Sequence, residues 1–273
     1  MMEKISLAGD LGSGKSTVSK ILIERLGAEY YSTGAIVREL ANKYGMDVKA
    51  FNIYMEEHPE IDHEIDDGLK ALSAVDKLLI IDSRMAWHFT RPTFKVYLSC
   101  DPETSALRIM GAERIGESAK SLEEAIRNTR ERRESEKKRY MTQYGVDIKD
   151  LMNYDLIVDT SAATPEIIAE RIIASFEEWK GNREYKAAFI SPERLFYPDD
   201  EPMLDKVTGL ANMLDMCIDI PEVKAVERDG EFFVTGGVES ALAYGFNFSD
   251  FVPVTLVRGE IDEKSFTKMK NNL

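Results

Sequence analysis

Residues 9–16 read Gly9-Asp10-Leu11-Gly12-Ser13-Gly14-Lys15-Ser16, a glycine followed by four residues and then by glycine, lysine and serine. A short apolar run at 4–8 precedes the stretch, and apolar residues with helical spacing follow it at 15–26. Glycines between a strand and a helix let backbone N–H groups turn inward around an anion, and the helix N-terminus adds the positive end of its dipole. A chance glycine-rich turn is the alternative. The complete match in this context favours a phosphate-binding loop.

Several side chains in and near this loop have separate expected tasks. Lys15 is expected to neutralise the β- and γ-phosphates of a nucleoside triphosphate, and Ser16 to supply a hydroxyl to Mg²⁺. Asp82 ends the apolar run 77–82, where an acid of a phosphate-loop protein lies beside Mg²⁺. An Asp that only caps a turn is the alternative. The residues expected to bind ATP are Gly9, Asp10, Leu11, Gly12, Ser13, Gly14, Lys15, Ser16 and Thr17.

Strand and helix patterns alternate outward from the loop, which predicts an α/β fold with a doubly wound parallel sheet over residues 1–180. After Lys180 the chain becomes richer in proline, and Asp229-Gly230 between two apolar runs predicts a β-hairpin. We therefore expect a second, small α+β domain at 186–273. The predicted strands of the first domain are 4–8, 28–31, 77–82, 94–99 and 156–158, and capping signals begin helices at Asp101, Ser121 and Thr164.

The composition of the 273 residues restricts the partners. There are 35 basic and 49 acidic residues, a formal charge of −14, which argues against broad binding to nucleic acid or to an anionic membrane. The two cysteines, Cys100 and Cys217, lack metal-site spacing, and no apolar run approaches the ~18 residues of a membrane span. Because the loop begins within ten residues of the N-terminus, we expect no signal peptide. We expect a cytoplasmic protein.

Arginines indicate where a phosphorylated acceptor would bind, because the guanidinium fork matches phosphate oxygens. Arg38 follows Ser32-Thr33-Gly34, and Arg84 lies just after Asp82. Arg132, Glu136 and Arg139 are spaced i, i+4 and i+7, which places them on one face of a helix. A solvated, salt-bridged surface helix is the alternative, and the charge pattern alone does not exclude it.

Residues 1 to about 178 resemble the cytidylate kinase family, in the compact form common in archaea. The motifs that carry the resemblance occur in family order along the whole segment. They are Gly12-Ser13-Gly14-Lys15-Ser16-Thr17, Tyr31-Ser32-Thr33-Gly34 with Arg38-Glu39-Leu40-Ala41, Pro59-Glu60-Ile61-Asp62-His63-Glu64-Ile65-Asp66, Arg133-Glu134-Ser135-Glu136-Lys137-Lys138-Arg139-Tyr140, Tyr144-Gly145-Val146-Asp147-Ile148 and Tyr154-Asp155-Leu156-Ile157-Val158-Asp159-Thr160-Ser161.

The resemblance implies transfer of the ATP γ-phosphate to CMP or dCMP, with Mg²⁺ as cofactor and small-molecule nucleotides as partners. An acceptor phosphate is already anionic, so the reaction needs no general base. By motif position, the catalytic residues would be Lys15, Arg84, Arg132 and Arg139. The acceptor would be bound by Ser32, Arg38, Arg84, Arg132, Glu136 and Arg139. The region of about 108–130 would be a lid that carries Arg108 and Arg114.

The chain departs from the family pattern at three positions. Asp10 stands where the family usually has Pro, Ala35 where it has Asp, and Ser83 where it has Gly. Asp10 places an acid in the phosphate loop, and Ala35 and Ser83 bear on the acceptor base. Two other functions therefore stay open at this point: a kinase for another small acceptor, and a catalytically weak nucleotide-binding regulator.

Residues 186–273 resemble the ParB-like/sulfiredoxin-like fold. The motifs are Ile190-Ser191-Pro192-Glu193-Arg194-Leu195, residues 227–234, Gly236-Gly237, residues 239–243 and Val252-Pro253-Val254. DNA-binding or active members carry a basic turn, whereas Glu239 follows the glycines here. Residues 182–273 also hold 17 acidic and 10 basic residues, which opposes DNA binding. We expect an accessory domain, dispensable for the chemistry, that contacts a protein partner or self-associates.

Overall fold

A computed structural model describes residues 3–111, 121–199 and 202–268. In its first part five parallel strands lie in the order β2-β3-β1-β4-β5. This order brings the phosphate loop, which follows β1, to the centre of the sheet. The strands are β1 Lys4–Gly9, β2 Glu29–Ser32, β3 Leu79–Asp82, β4 Phe94–Ser99 and β5 Leu156–Asp159.

Helices connect these strands, and the capping residues read from the sequence begin them. Ser121 Oγ accepts from the Glu124 backbone N–H at 3.2 Å, and Thr164 Oγ1 accepts from that of Ile167 at 3.4 Å. The predicted doubly wound α/β fold is therefore confirmed. The helices are α1 Lys15–Leu26, α2 Thr33–Lys43, α3 Val48–Glu57, α4 Pro59–Ala71, α5 Ala86–Phe89, α6 Pro102–Gly111, α7 Leu122–Tyr144 and α8 Pro165–Gly181.

The described residues after α8 form further strands and two α-helices. The predicted hairpin at Asp229-Gly230 is confirmed: both residues have positive φ, 51° and 88°, and the flanking strands pair antiparallel. The elements are β6 Ala187–Ile190, β7 Leu195–Pro198, α9 Leu204–Asp215, β8 Val223–Arg228, β9 Glu231–Gly236, α10 Val238–Phe246, β10 Val252–Leu256 and β11 Phe266–Lys268.

The two parts of the chain share one sheet. β6 pairs parallel with β5, and β10 then pairs antiparallel with β6, which extends the sheet to 11 strands in the described residues. The order is β11-β7-β9-β8-β10-β6-β5-β4-β1-β3-β2. The division at about residue 180 stays a prediction, but β5 and β6 join the two parts through backbone hydrogen bonds.

Side chains from both parts also share one apolar cluster. Tyr97, Tyr154 and Ile157 of the first part belong to the same cluster as Ile190 and Val252 of the second. The second part therefore does not bury its apolar side chains separately from the first, because this face of the sheet is continuous across β5 and β6. On the opposite face, α1 and α8 cover β1, β4 and β5. No helix of the described residues is long and apolar enough to cross a membrane.

A buried ion pair lies at the same junction. Arg194 Nη1 is 3.1 Å from Asp159 Oδ1, and the two side chains are 3% and 0% exposed. The same guanidinium donates to Ser161 Oγ at 3.1 Å. Asp159 ends β5 and Arg194 precedes β7, so the second part of the chain holds the loop that follows β5.

Candidate active site

The carboxyl ends of three neighbouring strands bring the predicted residues together. In the strand register, Asp82 of β3 lies beside Leu7 of β1 and beside Ser32 of β2. Residues that follow β1, β2 and β3 therefore meet at one edge of the sheet, where ligands of open α/β sheets bind. This edge holds the phosphate loop, Asp82, and the beginning of α2.

Two glycines of the loop are required by its geometry. A Cβ at Gly9, whose φ is 145°, would lie 2.4 Å from the Leu98 carbonyl oxygen, and one at Gly12 would lie 2.6 Å from that of Ser105. No side chain fits at these distances, so the loop can pack against β4 and α6 only with glycine. Thr17 and Ser16 lie exposed in the first turn of α1.

Lys15 lies against the backbone of the loop. Its Nζ donates to the carbonyl oxygens of Gly9 at 3.0 Å and Asp10 at 2.8 Å. Burial, followed by the positive charge of Arg84, lowers the pKa of Lys15 to about 7. A phosphate in the loop would stabilise the ammonium form and raise this pKa.

Arg84 joins the loop to the long helix α7. Its Nη1 donates to the Gly9 carbonyl at 2.9 Å, and its Nε lies 2.8 Å from Glu136 Oε2. Arg132 contacts the other oxygen of Glu136 at 3.2 Å. Burial opposes the charge on Glu136, but Arg84 and Arg132 hold its pKa at about 2. This face of α7 is therefore an inward, arginine-rich face rather than a solvated one.

Arg139 extends the same face, and its neighbours include residues for which the sequence predicted no role. Its guanidinium donates to Tyr140 Oη at 3.3 Å and lies 3.8 Å from Asp62 of α4. Gln143 also donates to Asp62, at 3.2 Å. Asp62 belongs to a motif quoted for the family resemblance, but nothing in the local pattern indicated that it faces α7.

Ser32 and Arg38 lie on the other side of Asp82. Ser32 Oγ accepts from the Ala35 backbone N–H at 3.2 Å and so caps α2. Arg38 is exposed, and its charge acts on Tyr30, whose hydroxyl donates to Asp82 at 3.2 Å. The predicted acceptor residues thus border one region, in which the charge of Asp82 acts on Arg84 and that of Arg139 acts on Glu136. They are Ser32 at the end of β2, Arg38 of α2, Arg84 after β3, and Arg132, Glu136 and Arg139 of α7.

Ser16 and Asp82 each offer a side-chain oxygen that could bind Mg²⁺. Two protein oxygens are enough, because nucleotide phosphates and waters supply the other ligands of the ion. The Asp82 carboxylate acts on Lys15 by its charge, so it lies within the electrostatic field of the loop. Mg²⁺ keeps several waters and takes one or two protein oxygens together with phosphate oxygens. Among the described residues no group of three or more His, Cys, Asp or Glu forms a dedicated metal cage.

Of the two predicted lid arginines, one can be placed. Arg108 Nη2 donates to the Thr160 carbonyl at 2.7 Å, and its Nη1 lies 3.6 Å from Cys100 Sγ. It therefore contacts the loop that follows β5. Arg114 lies outside the described residues, as does the middle of the region 108–130.

Asp10 has a surrounding that the sequence did not indicate. Its buried carboxylate accepts from Tyr97 Oη at 2.8 Å, from the Cys100 backbone N–H at 2.9 Å and from Lys149 Nζ at 2.6 Å. Arg133 Nη2 lies 3.4 Å away. Burial opposes the charge on Asp10, but Lys149 and Arg133 outweigh burial and lower its pKa below the ordinary value.

Comparison with known proteins gives a family match over the first part of the chain. The model of the cytidylate kinase-like family matches residues 4–162. The cytidylate kinase of Thermoplasma volcanium is 37% identical over 186 residues, which cover 67% of this chain and 95% of that protein. About a third of this chain therefore lies outside the similar segment.

Two further similarities each cover 65% of this chain. The S-adenosylmethionine-dependent nucleotide dehydratase of Lacinutrix mariniflava is 34% identical over 181 residues, which cover only 37% of that protein. A solved shikimate kinase from Bacteroides thetaiotaomicron is similar with a TM-score of 0.46 and 16% identity, covering 65% of this chain and 99% of that one. Neither similarity bears on the substrate.

Proposed function

The chain belongs to the cytidylate kinase-like family, and on that premise we propose that it transfers the γ-phosphate of ATP to CMP or dCMP. The observation that carries the proposal is the position of Arg84. Its guanidinium contacts the phosphate loop through the Gly9 carbonyl and α7 through Glu136. A cation between a donor site and an acceptor site is suited to a phosphoryl group that moves from one to the other.

The expected mechanism is positioning combined with charge neutralisation. The attacking atom is a phosphate oxygen of the acceptor, which carries negative charge and needs no base. The loop amides and Lys15 bind the transferred phosphoryl group, while Arg84 and Arg132 stabilise the charge that spreads over its oxygens. Glu136 orients the two arginines, because each donates to one of its oxygens. Mg²⁺, held by Ser16 and Asp82, would neutralise charge on the nucleotide phosphates.

The acceptor side supports a nucleotide that already carries a phosphate. Arg38, Arg84 and Arg139 supply cationic groups around the edge that Asp82 and Ser32 define. Asp62 contacts both Arg139 and Gln143. These polar side chains lie beside the arginines of α7 and could bind the acceptor base. Ala35 leaves the base without the acid that the family resemblance expects at that position.

A screen of nucleoside monophosphates tests the proposal. ADP release, coupled to a spectroscopic readout, is measured with ATP and each of CMP, dCMP, UMP, AMP and GMP, and also without any acceptor. We expect kcat/KM to be highest for CMP or dCMP. If kcat/KM for another acceptor were tenfold higher or more, that acceptor and not cytidylate would be the substrate. Tight ATP binding without acceptor-dependent ADP release would instead favour the nucleotide-binding regulator.

A further inference from the structure

The phosphate loop of this chain contains an acid. A carboxylate within an anion-binding loop repels phosphate oxygens, because the interaction of two like charges inside a protein is only weakly screened. Asp10 is the second residue of the loop, and its own carbonyl accepts from Lys15 Nζ at 2.8 Å. Asp10 is therefore a residue of the loop itself, in backbone contact with the lysine that is expected to bind phosphate.

The side chain of Asp10 is held by three side chains and one backbone amide. Lys149 Nζ donates to Asp10 Oδ1 at 2.6 Å and also to Tyr97 Oη at 2.9 Å. Tyr97 in turn donates to Asp10, and the Cys100 backbone N–H donates to the second carboxylate oxygen at 2.9 Å. Both carboxylate oxygens are thus occupied by donors that come from β4, from the residue after β4 and from the segment after α7.

Arg133 completes the group. Its Nη2 lies 3.4 Å from Asp10 Oδ1, and its side chain is largely buried. One carboxylate therefore faces two cations, Lys149 and Arg133, which gives the group a net charge of +1. The two cations thus cancel the negative charge that the acid brings into the loop.

The second part of the chain borders the same group. Glu227 of β8 is within the field of both Lys149 and Asp10, and burial raises the pKa of its carboxyl. Glu227 Oε1 accepts from the Gly230 backbone N–H at 2.6 Å, so the hairpin turn fixes its position. A residue outside the segment matched by the family model therefore borders the group formed by Asp10, Lys149 and Arg133.

We infer that Lys149 and Arg133 are positioning residues that neutralise and hold the Asp10 carboxylate, so that the acid in the loop does not weaken nucleotide binding. The inference rests on the proposed function only in taking ATP as the ligand of the loop. Replacing Lys149 leaves the group with a net charge of 0, and replacing Asp10 leaves it with +2. Replacing both restores +1, the charge that Asp10, Lys149 and Arg133 have together in the natural chain.

Binding of a non-hydrolysable ATP analogue with Mg²⁺ is measured by calorimetry for the full natural chain, four test variants and one control variant. Lys149→Met is expected to weaken binding about tenfold, the order of effect of one unit charge within a protein. Asp10→Asn is expected to bind at least as tightly as the natural chain. The double variant Asp10→Asn/Lys149→Met and the variant Lys149→Arg are expected to bind the analogue with an affinity within about threefold of that of the natural chain. Lys206→Met, which removes the lysine of a remote ion pair with Glu239, serves as control.

The KM for the acceptor distinguishes a charge effect at the loop from a general disturbance of the fold. We expect it to stay unchanged in these variants, because only ATP binding should be affected. Unchanged ATP affinity in Lys149→Met, or a double variant as weak as Lys149→Met, would overturn the inference. If Lys149→Met does not fold, Asp10→Asn tests the inference instead. A folded Asp10→Asn variant with tenfold lower ATP affinity would overturn the inference, and unimpaired binding would support it. A natural chain that binds the analogue but phosphorylates no monophosphate contradicts the proposed function alone.

Discussion

Two cationic side chains share one backbone acceptor in this site. Lys15 and Arg84 both donate to the carbonyl of Gly9, at 3.0 and 2.9 Å. Two positive charges this close repel each other, and this repulsion is one reason why the pKa of Lys15 is lowered. A nucleotide phosphate relieves the repulsion, since it supplies negative charge to both groups.

This arrangement predicts that ATP binding takes up a proton. With a pKa of about 7, Lys15 is largely neutral at pH 8.5 in the free protein, and bound phosphate raises the pKa. Affinity for ATP should therefore fall as pH rises above 7. Calorimetric titration at pH 8.5 in two buffers of different ionisation enthalpy should show net proton uptake approaching one per ATP.

Lys15→Met gives the matched comparison for this measurement. It removes the titrating group, so proton uptake should disappear, and kcat should fall on the order of 10²-fold or more. Lys206→Met should retain both the uptake and the activity. Proton uptake that persists in Lys15→Met would assign it to another group, and activity within a few-fold of the natural chain would contradict the role of Lys15.

Among the elements, α7 carries half of the predicted acceptor residues, Arg132, Glu136 and Arg139. It is a charged helix throughout, and its sequence alone does not distinguish an inward face from a solvated one. Packing decides the matter, because Glu136 is held between Arg84 and Arg132. Arg130 of the same helix is exposed and offers an internal control.

Arginine replacements along α7 test this face. Arg132→Ala and Arg139→Ala should raise the acceptor KM about tenfold or more, because an arginine–phosphate contact contributes ~1.5–3 kcal/mol. Arg84→Ala should have the same effect and also lower kcat. Arg130→Ala should change acceptor KM and ATP KM by less than twofold. A raised ATP KM with an unchanged acceptor KM would assign these arginines to the donor side.

At the scale of the whole molecule, the junction between β5 and β6 decides how independent the two parts are. The sequence predicts that the second part is dispensable for the chemistry. The continuous sheet, the shared apolar cluster and the Asp159–Arg194 pair argue against that expectation. Ending the chain at residue 181 would expose the edge of β5 and leave Asp159 buried without its cation.

Removing one partner of a buried ion pair costs about 3–5 kcal/mol. Arg194→Met should therefore lower Tm by roughly 6–15 °C. A chain ended at residue 181 should lose its cooperative thermal transition, as followed by circular dichroism. The control is Arg258→Met, because Arg258 forms an exposed pair with Asp150 at 2.7 Å and its loss should cost ~1 kcal/mol or less. A shortened chain that unfolds cooperatively with full activity would restore the prediction of a dispensable domain.

The sequence alone determined the features that depend on neighbouring residues. The phosphate loop, the alternation of strands and helices, the caps at Ser121 and Thr164 and the hairpin at Asp229-Gly230 were all predicted and are present. Each follows from backbone preferences within a few residues, so a short stretch of sequence suffices to specify it. The i, i+4, i+7 spacing likewise placed Arg132, Glu136 and Arg139 on one face of α7.

Only the tertiary structure decided which distant groups meet. Lys149 lies 139 positions from Asp10, and Asp159 lies 35 positions from Arg194, yet each pair is in contact. No local preference links such positions; the strand order and the packing of α7 bring them together. For the same reason the sequence indicated an acid in the phosphate loop but not its neutralisation, and a second domain but not the sheet that it shares with the first.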